Sequence, residues 1–146
     1  MKRQSAEMNI FKAIFQLSNR IQVEGDKLSN ELTLKQWFLL LVLYKGTIKN
    51  PTVNDISLAM GVTRQSAKKM ISILEKGGYL TVSKSNYDSR ALCICPTDKA
   101  YEFFQNNKFL GYELLSKIFE GIEENELAMV FQVLQKIQDN LNKKSK

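Results

Sequence analysis

The residues VNDISLAMGVTRQSAKKMISILEKGGYLTVSKSNYDSR, Val53 to Arg90, read as helix, tight turn, second helix and β-hairpin. Thr52 can cap the first helix, with Asp55 three positions on in the place of a capping-box acid. Ile56, Ala59 and Met60 are expected to share its inner face. Gly61 supplies a residue that tolerates a left-handed turn, Val62 plugs the corner, and Thr63 can cap the second helix. On that helix Ala67, Met70, Ile71 and Leu74 recur at i, i+3, i+4, i+7, the spacing of one buried stripe. The opposite face carries Gln65, Lys69, Ser72 and Lys76, flanked by Ser66 and Lys68. Gly77-Gly78 ends the helix. Two apolar helices joined by a short glycine turn make a helix-turn-helix unit.

The outer face has a definite chemistry. Arg64, Lys68 and Lys69 can reach guanine O6 and N7, Gln65 can read adenine N6 and N7, and the hydroxyls of Thr63 and Ser66 suit bases or phosphates. These residues crowd the N-terminal turns, the end that a recognition helix directs into a major groove. Any amphipathic helix has a polar face; the glycine turn before this one and the hairpin after it favour the reading as a DNA-binding surface. The hairpin is expected over Tyr79–Val82 and Ala91–Cys95, with a polar tip from Ser83 to Arg90. Lys84 and Arg90 place cations at the ends of the tip. An arginine on a narrow projection can enter a minor groove, and Asp88 can orient its guanidinium.

The order of helix-turn-helix, double glycine and hairpin with D-x-R at its tip resembles the MarR family of bacterial transcription regulators. LTLKQWFLLLVL (Leu32–Leu43) is similar to that family's second helix, PTDKAYEFF (Pro96–Phe104) to the helix after the wing, and EENELAMVFQVLQKIQDNL (Glu123–Leu141) to its last helix. Pro96 stands where the family usually has leucine, and Ala100 where it usually has glycine. The resemblance covers nearly the whole chain. It implies a mainly α fold with a small β-hairpin wing: one domain over 1–146, with the winged helix-turn-helix over about 33–96 and dimerisation helices over about 5–28 and 97–142. It also implies a homodimer whose first and last helices interlock, two reading heads on a near-palindromic operator, and usually repression. A crevice for a small aromatic or anionic effector belongs to the same picture. Trp37, Phe38, Phe11, Phe15 and Tyr44 could line such a crevice, although plain core is the preferred reading of those rings.

Composition narrows the classes. Of 146 residues, 44% are hydrophobic and 25% charged, as in an ordinary globular domain. No apolar run is long enough to cross a bilayer, and no secretory core follows Met1-Lys2-Arg3, so a cytoplasmic protein without a membrane partner is expected. The net charge of +6 is uneven: residues 1–51 hold 8 basic and 4 acidic groups (+4), 52–90 hold 6 and 3 (+3), and 91–146 hold 7 and 8 (−1). The excess cation lies with the proposed reading head, which suits a polyanion. There is no histidine, which removes Ser-His-Asp and Cys-His catalysis, and two cysteines argue against a zinc site. Neither glycine-rich nucleotide fingerprint occurs. Neither an enzyme nor a cofactor protein is expected.

Outside the reading head, residues 5–24 should form a helix with Ile10, Ile14, Leu17 and Ile21 on a heptad seam widened by Phe11 and Phe15, broken by Gly25-Asp26. Thr33 and Gln36 form a capping box for a helix whose body, Trp37 to Tyr44, is apolar nearly all round and so expected at the centre. Thr47-Ile48-Lys49 could add a short strand beside the hairpin. Thr97 should cap a helix to about Phe119, on which Tyr101, Phe104, Leu115, Ile118 and Ile122 follow helical spacing and Gly111 permits a bend or close packing. A last helix follows Gly121 with the stripe Leu127, Val130, Phe131, Leu134, Ile137 and Leu141. Thr33, Lys35 and Thr52, at helix N-termini, are candidate phosphate contacts. Cys93 and Cys95 share one face of a strand; a small-hydrophobe role in the core is preferred over a redox switch, since adjacent same-side positions bridge poorly. Two alternatives to a DNA-binding regulator remain: a winged-helix module that binds only protein, and a thiol redox sensor through Cys93 and Cys95.

Overall fold

The computed structural model describes residues 2–46, 48–84 and 92–143. Six helices and one hairpin follow in the order α1 (Arg3–Asp26), α2 (Leu34–Tyr44), α3 (Val53–Met60), α4 (Arg64–Lys76), β1 (Leu80–Lys84), β2 (Leu92–Pro96), α5 (Asp98–Ile118) and α6 (Glu124–Asn142). The chain divides into two units, Met1–Leu110 and Gly111–Lys146. The fold is mainly α with a two-stranded antiparallel wing, as the sequence implies.

The first unit holds the core. Leu39, Leu40 and Leu43 of α2, Val53 and Ile56 of α3, Ala67, Ile71 and Leu74 of α4, Leu80 and Ile94 of the hairpin, and Ala100 and Phe103 of α5 form one buried cluster. Burial of a leucine, isoleucine or phenylalanine contributes about 1.5–3 kcal/mol, so this cluster is what fixes α4 against its neighbours. The aromatics in and against it meet edge to face: the half-buried Trp37 and Phe103 have centroids 5.7 Å apart at 89°, and Tyr79 and Phe103 6.3 Å apart at 84°.

Several local expectations need correction. Helix α1 does not break at Gly25; it continues to Asp26, and Gly25 is its one buried residue. A Cβ at Gly25 would lie 2.4 Å from Leu34 Cδ2, so the glycine is there for close packing against the start of α2. Asp26 then accepts a hydrogen bond from the Leu34 amide at 2.8 Å, satisfying one of the free donors at that helix end. On α3 the inner face is Val53, Ile56 and Ser57, while Ala59 is exposed. Ser57 tolerates burial because its hydroxyl donates to Asn54 O at 2.8 Å. Helix α2 is not covered all round: Phe38 and Tyr44 are exposed. On α5 the buried residues are Ala100 and Phe103 rather than Tyr101 and Phe104, a shift of one position around the helix. Tyr101 and Phe104 instead flank the ring of Tyr44, at 5.3 and 4.7 Å between centroids.

The connector before α3 is not a strand over its described residues, Ile48–Asn50; Thr47 lies outside them. One backbone bond, Ile94 N to Pro51 O at 3.2 Å, ties the connector to β2. The strands pair from Leu80↔Pro96 to Lys84↔Leu92, so Ser83 and Lys84 belong to β1, while residues 85–91, which include the rest of the expected tip and Ala91, lie outside the described residues. Helix α5 runs through Gly111 to Ile118.

The second unit contains α6, whose capping box is Glu123 and Glu126, the Glu123 amide donating to Glu126 Oε2 at 2.9 Å. None of its residues is buried. Leu127, Val130, Phe131, Leu134 and Leu141 are all exposed. In the first unit α1 likewise leaves Ile10, Phe11, Ile14, Phe15 and Leu17 exposed. Each helix thus presents an apolar face larger than single scattered side chains would make.

Gly25→Ala should destabilise the protein by about 1–3 kcal/mol through overpacking, measured by urea denaturation, and Leu34→Ala should recover part of that loss in the double variant. Additive losses would show that the two residues do not meet.

Candidate nucleic-acid interface

Helix α4 is set at both ends before any outer side chain is considered. At its start the Thr63 hydroxyl accepts from the Ser66 amide at 3.1 Å. Its entry is fixed by Gly61, whose φ of 71° is the left-handed conformation that closes α3. The amides of Gly61 and Val62 return to Leu58 O and Ser57 O, at 3.3 and 3.0 Å. That is the Schellman pattern. The same pattern closes α4: Gly78 has φ 84°, its amide donates to Glu75 O at 3.0 Å, and the Tyr79 amide donates to Leu74 O at 2.9 Å. The buried Leu74 and Tyr79 form the apolar pair that accompanies such a cap.

With Ala67, Ile71 and Leu74 buried, helical geometry sends Arg64, Gln65, Ser66, Lys68 and Lys69 to solvent, and all five are exposed. Arg64 and Lys68 lie one turn apart, as do Gln65 and Lys69. Among the described residues none of these four has a hydrogen-bond or ion-pair partner, whereas Arg3 pairs with Glu7 and Lys27 with Glu24. The helix therefore offers three cations and an amide at its N-terminal half, where its dipole adds positive potential. Thr63 differs from the others: its hydroxyl serves as the cap.

The other expected contacts divide. Thr33 and Thr52 cap α2 and α3, accepting from Gln36 N and Asp55 N at 3.2 Å each. The Thr52 hydroxyl also donates to Asp55 Oδ2 at 2.9 Å, which uses its one proton inside the capping box. Lys35 is exposed in the first turn of α2. Lys84 is exposed at the end of β1, opposite Leu92. Asp88 and Arg90 lie outside the described residues.

Sequence reasoning missed the group that secures the far end of α4. Tyr79 is buried, and its hydroxyl donates to Glu31 Oε1, 48 positions earlier. Lys99 of α5 places its ammonium 4.6 Å from the Tyr79 ring centroid and donates to Gly77 O at 2.7 Å. A cation at a helix C-terminus complements the dipole there. The Thr97 hydroxyl, expected to cap α5, donates instead to Gly78 O at 2.6 Å. The loop before α2, α4, the wing strand and α5 thus converge on the Gly77-Gly78-Tyr79 turn. Burial, then the Glu31 hydrogen bond and charge, hold the Tyr79 phenol well above the ordinary tyrosine range. No local pattern in the sequence announces a pair so far apart.

The cysteines also depart from expectation. They are not core residues: Ile94 between them points inward and is fully buried, while Cys93 is half-exposed and Cys95 exposed, both as free thiols. Partial desolvation of this otherwise exposed side chain, then the neighbouring Cys93, raises the Cys95 thiol above its usual range, which disfavours the free thiolate.

No family profile matches the chain. A transcriptional activatory protein, BadR of Rhodopseudomonas palustris, is 24% identical over 140 residues, covering 92% of this chain and 79% of that one. Sco3205 from Streptomyces coelicolor, a MarR-family transcriptional regulator solved in complex with DNA, superposes with a TM-score of 0.83 at 13% identity, over 95% of this chain and 89% of that one. BpsR of Bordetella bronchiseptica, whose DNA binding is regulated by 6-hydroxynicotinic acid, gives 0.78 at 17% identity, over 89% and 93%. The protein has the winged helix-turn-helix fold of the MarR regulators. Among the described residues no helix is long and apolar enough to cross a membrane.

The raised Tyr79 pKa has a defined sign. The folded state favours the neutral phenol, so its stabilising effect is complete below the ordinary value of 10.0 and is lost as pH rises above it. Tyr79→Phe should cost about 1 kcal/mol at pH 8 and should flatten the fall of stability above pH 10 in urea denaturation. Identical alkaline profiles for both proteins would show that the Glu31–Tyr79 bond does not contribute to stability.

Proposed function

We propose that this protein is a MarR-family transcription regulator that binds double-stranded DNA in a sequence-specific manner and acts without catalysis in the cytoplasm. The observation that carries the proposal is the outer face of α4, where Arg64, Gln65, Lys68 and Lys69 stand exposed and unpartnered among the described residues. Those side chains suit the major-groove edges of guanine and adenine. Lys84 and, at the wing tip, Arg90 oriented by Asp88 would take the flanking backbone and minor groove. Lys35 at the start of α2 would take a phosphate, as would Thr33 and Thr52 through their helix ends.

The same reading makes the working unit a homodimer. The exposed apolar faces of α1 and α6 need cover, and a two-fold partner supplies it. Two reading heads one helical turn apart, roughly 34–36 Å, would meet a near-palindromic operator. Repression is the proposed sign; BadR, by its name, works in the opposite sense. The BpsR comparison supports a small aromatic anion as the effector class, acting by biasing the separation of the heads.

Selection of binding sites from random duplexes by the purified protein should return a two-fold symmetric sequence with half-sites about 10 base pairs apart. Gln65→Ala should change which base is preferred at one position of each half-site, at a cost of about 1–3 kcal/mol on the original sequence. Arg90→Ala should weaken all sequences alike. Selection of no sequence would refute the proposal, and equal loss on every sequence for Gln65→Ala would remove that residue from base reading.

Phe131→Glu combined with Leu134→Glu should convert the protein to monomer in sedimentation equilibrium and lower its affinity for the selected duplex. A dimer that survives both changes would show that the α6 face is not the interface.

A further inference from the structure

We propose that Cys93 and Cys95 form a two-thiolate site for a soft monovalent cation of the copper(I) class on the outward face of the wing strand. Both thiols are free, and strand alternation places them on one side of β2 while the intervening Ile94 is anchored in the core. Their spacing is wrong for a disulfide. On one face of a strand the Cβ atoms of residues two apart stay about as far apart as the chain advances, roughly 6.6 Å, whereas a disulfide needs its Cβ atoms roughly 3.8 Å apart. An interposed metal relaxes that demand. With metal–sulfur bonds of roughly 2.3 Å, as in zinc thiolates, a linear S–metal–S bridge lets the sulfurs stay up to roughly 4.6 Å apart.

The surroundings select the kind of ion. Zinc needs four donors of nitrogen, sulfur or carboxylate type. The chain has no histidine, and among the described residues no group of three or more His, Cys, Asp or Glu could hold a metal. The cross-strand neighbours are Ser83 opposite Cys93 and Thr81 opposite Cys95, and the Asn50 amide oxygen lies 3.8 Å from Cys93 Sγ. Hydroxyls and an amide are weak, hard donors. Two soft sulfurs with nothing soft beside them suit a cation content with two thiolates. Binding is a proton exchange without electron transfer: the two thiols release two protons to solvent and their sulfurs take one Cu(I).

The site lies next to the bond from Ile94 N to Pro51 O, which fastens the wing strand to the entry of α3. Its existence does not depend on DNA binding, and the test is made without DNA. The reduced full-length protein is titrated anaerobically against the Cu(I) complex of bicinchoninate, whose colour reports the metal it keeps. The wild type should withdraw one Cu(I) per chain. Cys93→Ser and Cys95→Ser should each lower the affinity at least about 100-fold, the loss expected when one arm of a chelate is removed. Because both side chains face outward, each variant should keep its far-ultraviolet circular dichroism. No withdrawal by the wild type, single variants that bind as tightly as it does, or half a cation per chain in each variant, the mark of bridging between chains, would overturn the proposal.

Discussion

Ala67, Ile71 and Leu74 aim everything on the far side of α4. These three inner side chains are almost wholly removed from water, and because a helix turns 3.6 residues at a time, burying them dictates where Arg64, Gln65, Lys68 and Lys69 point. The caps do the rest. Thr63 fixes the first turn, and left-handed glycines at 61 and 78 fix entry and exit. A reading surface must be rigid to discriminate between bases, since a contact worth 1–3 kcal/mol is lost if the donor wanders. The rigidity here comes from packing behind the helix, and among the described residues the donors in front keep no internal side-chain partners that would have to be broken first.

The exit from α4 is the second point of convergence. Gly77 O receives the Lys99 ammonium, Gly78 O receives the Thr97 hydroxyl, and Tyr79 reaches back to Glu31. One three-residue turn therefore couples α4 to the strand that starts the wing, to α5 and to the loop before α2. A shift in any of these would be felt at α4.

The parts legible in the sequence were those with short-range physical causes. The caps at Thr33, Thr52 and Thr63, the turn at Gly61 and the inner stripe of α4 each depend on residues a few positions apart, and the structure places them as expected. The misreadings share another origin. Gly25 reads as a helix breaker until Leu34 is seen against it. Ala59 and Ser57 exchange roles because a serine can satisfy its own hydroxyl inside a helix. On α5, runs of adjacent aromatics allow two helical faces, and Phe103 wins because the core lies on its side. The cysteines were expected inward because alternation alone does not say which face is buried; Ile94 decides it. Tyr79 with Glu31 was invisible because the pair is made by tertiary structure.

The dependence of affinity on salt tests most directly whether α4 meets the phosphate-lined groove of duplex DNA. A dimer bringing Arg64, Lys68 and Lys69 from each chain should displace at least about six counterions, so log K against log salt concentration should fall with a slope of about −5 or steeper. A flat dependence, or no association with duplex DNA at low salt, would contradict that contact.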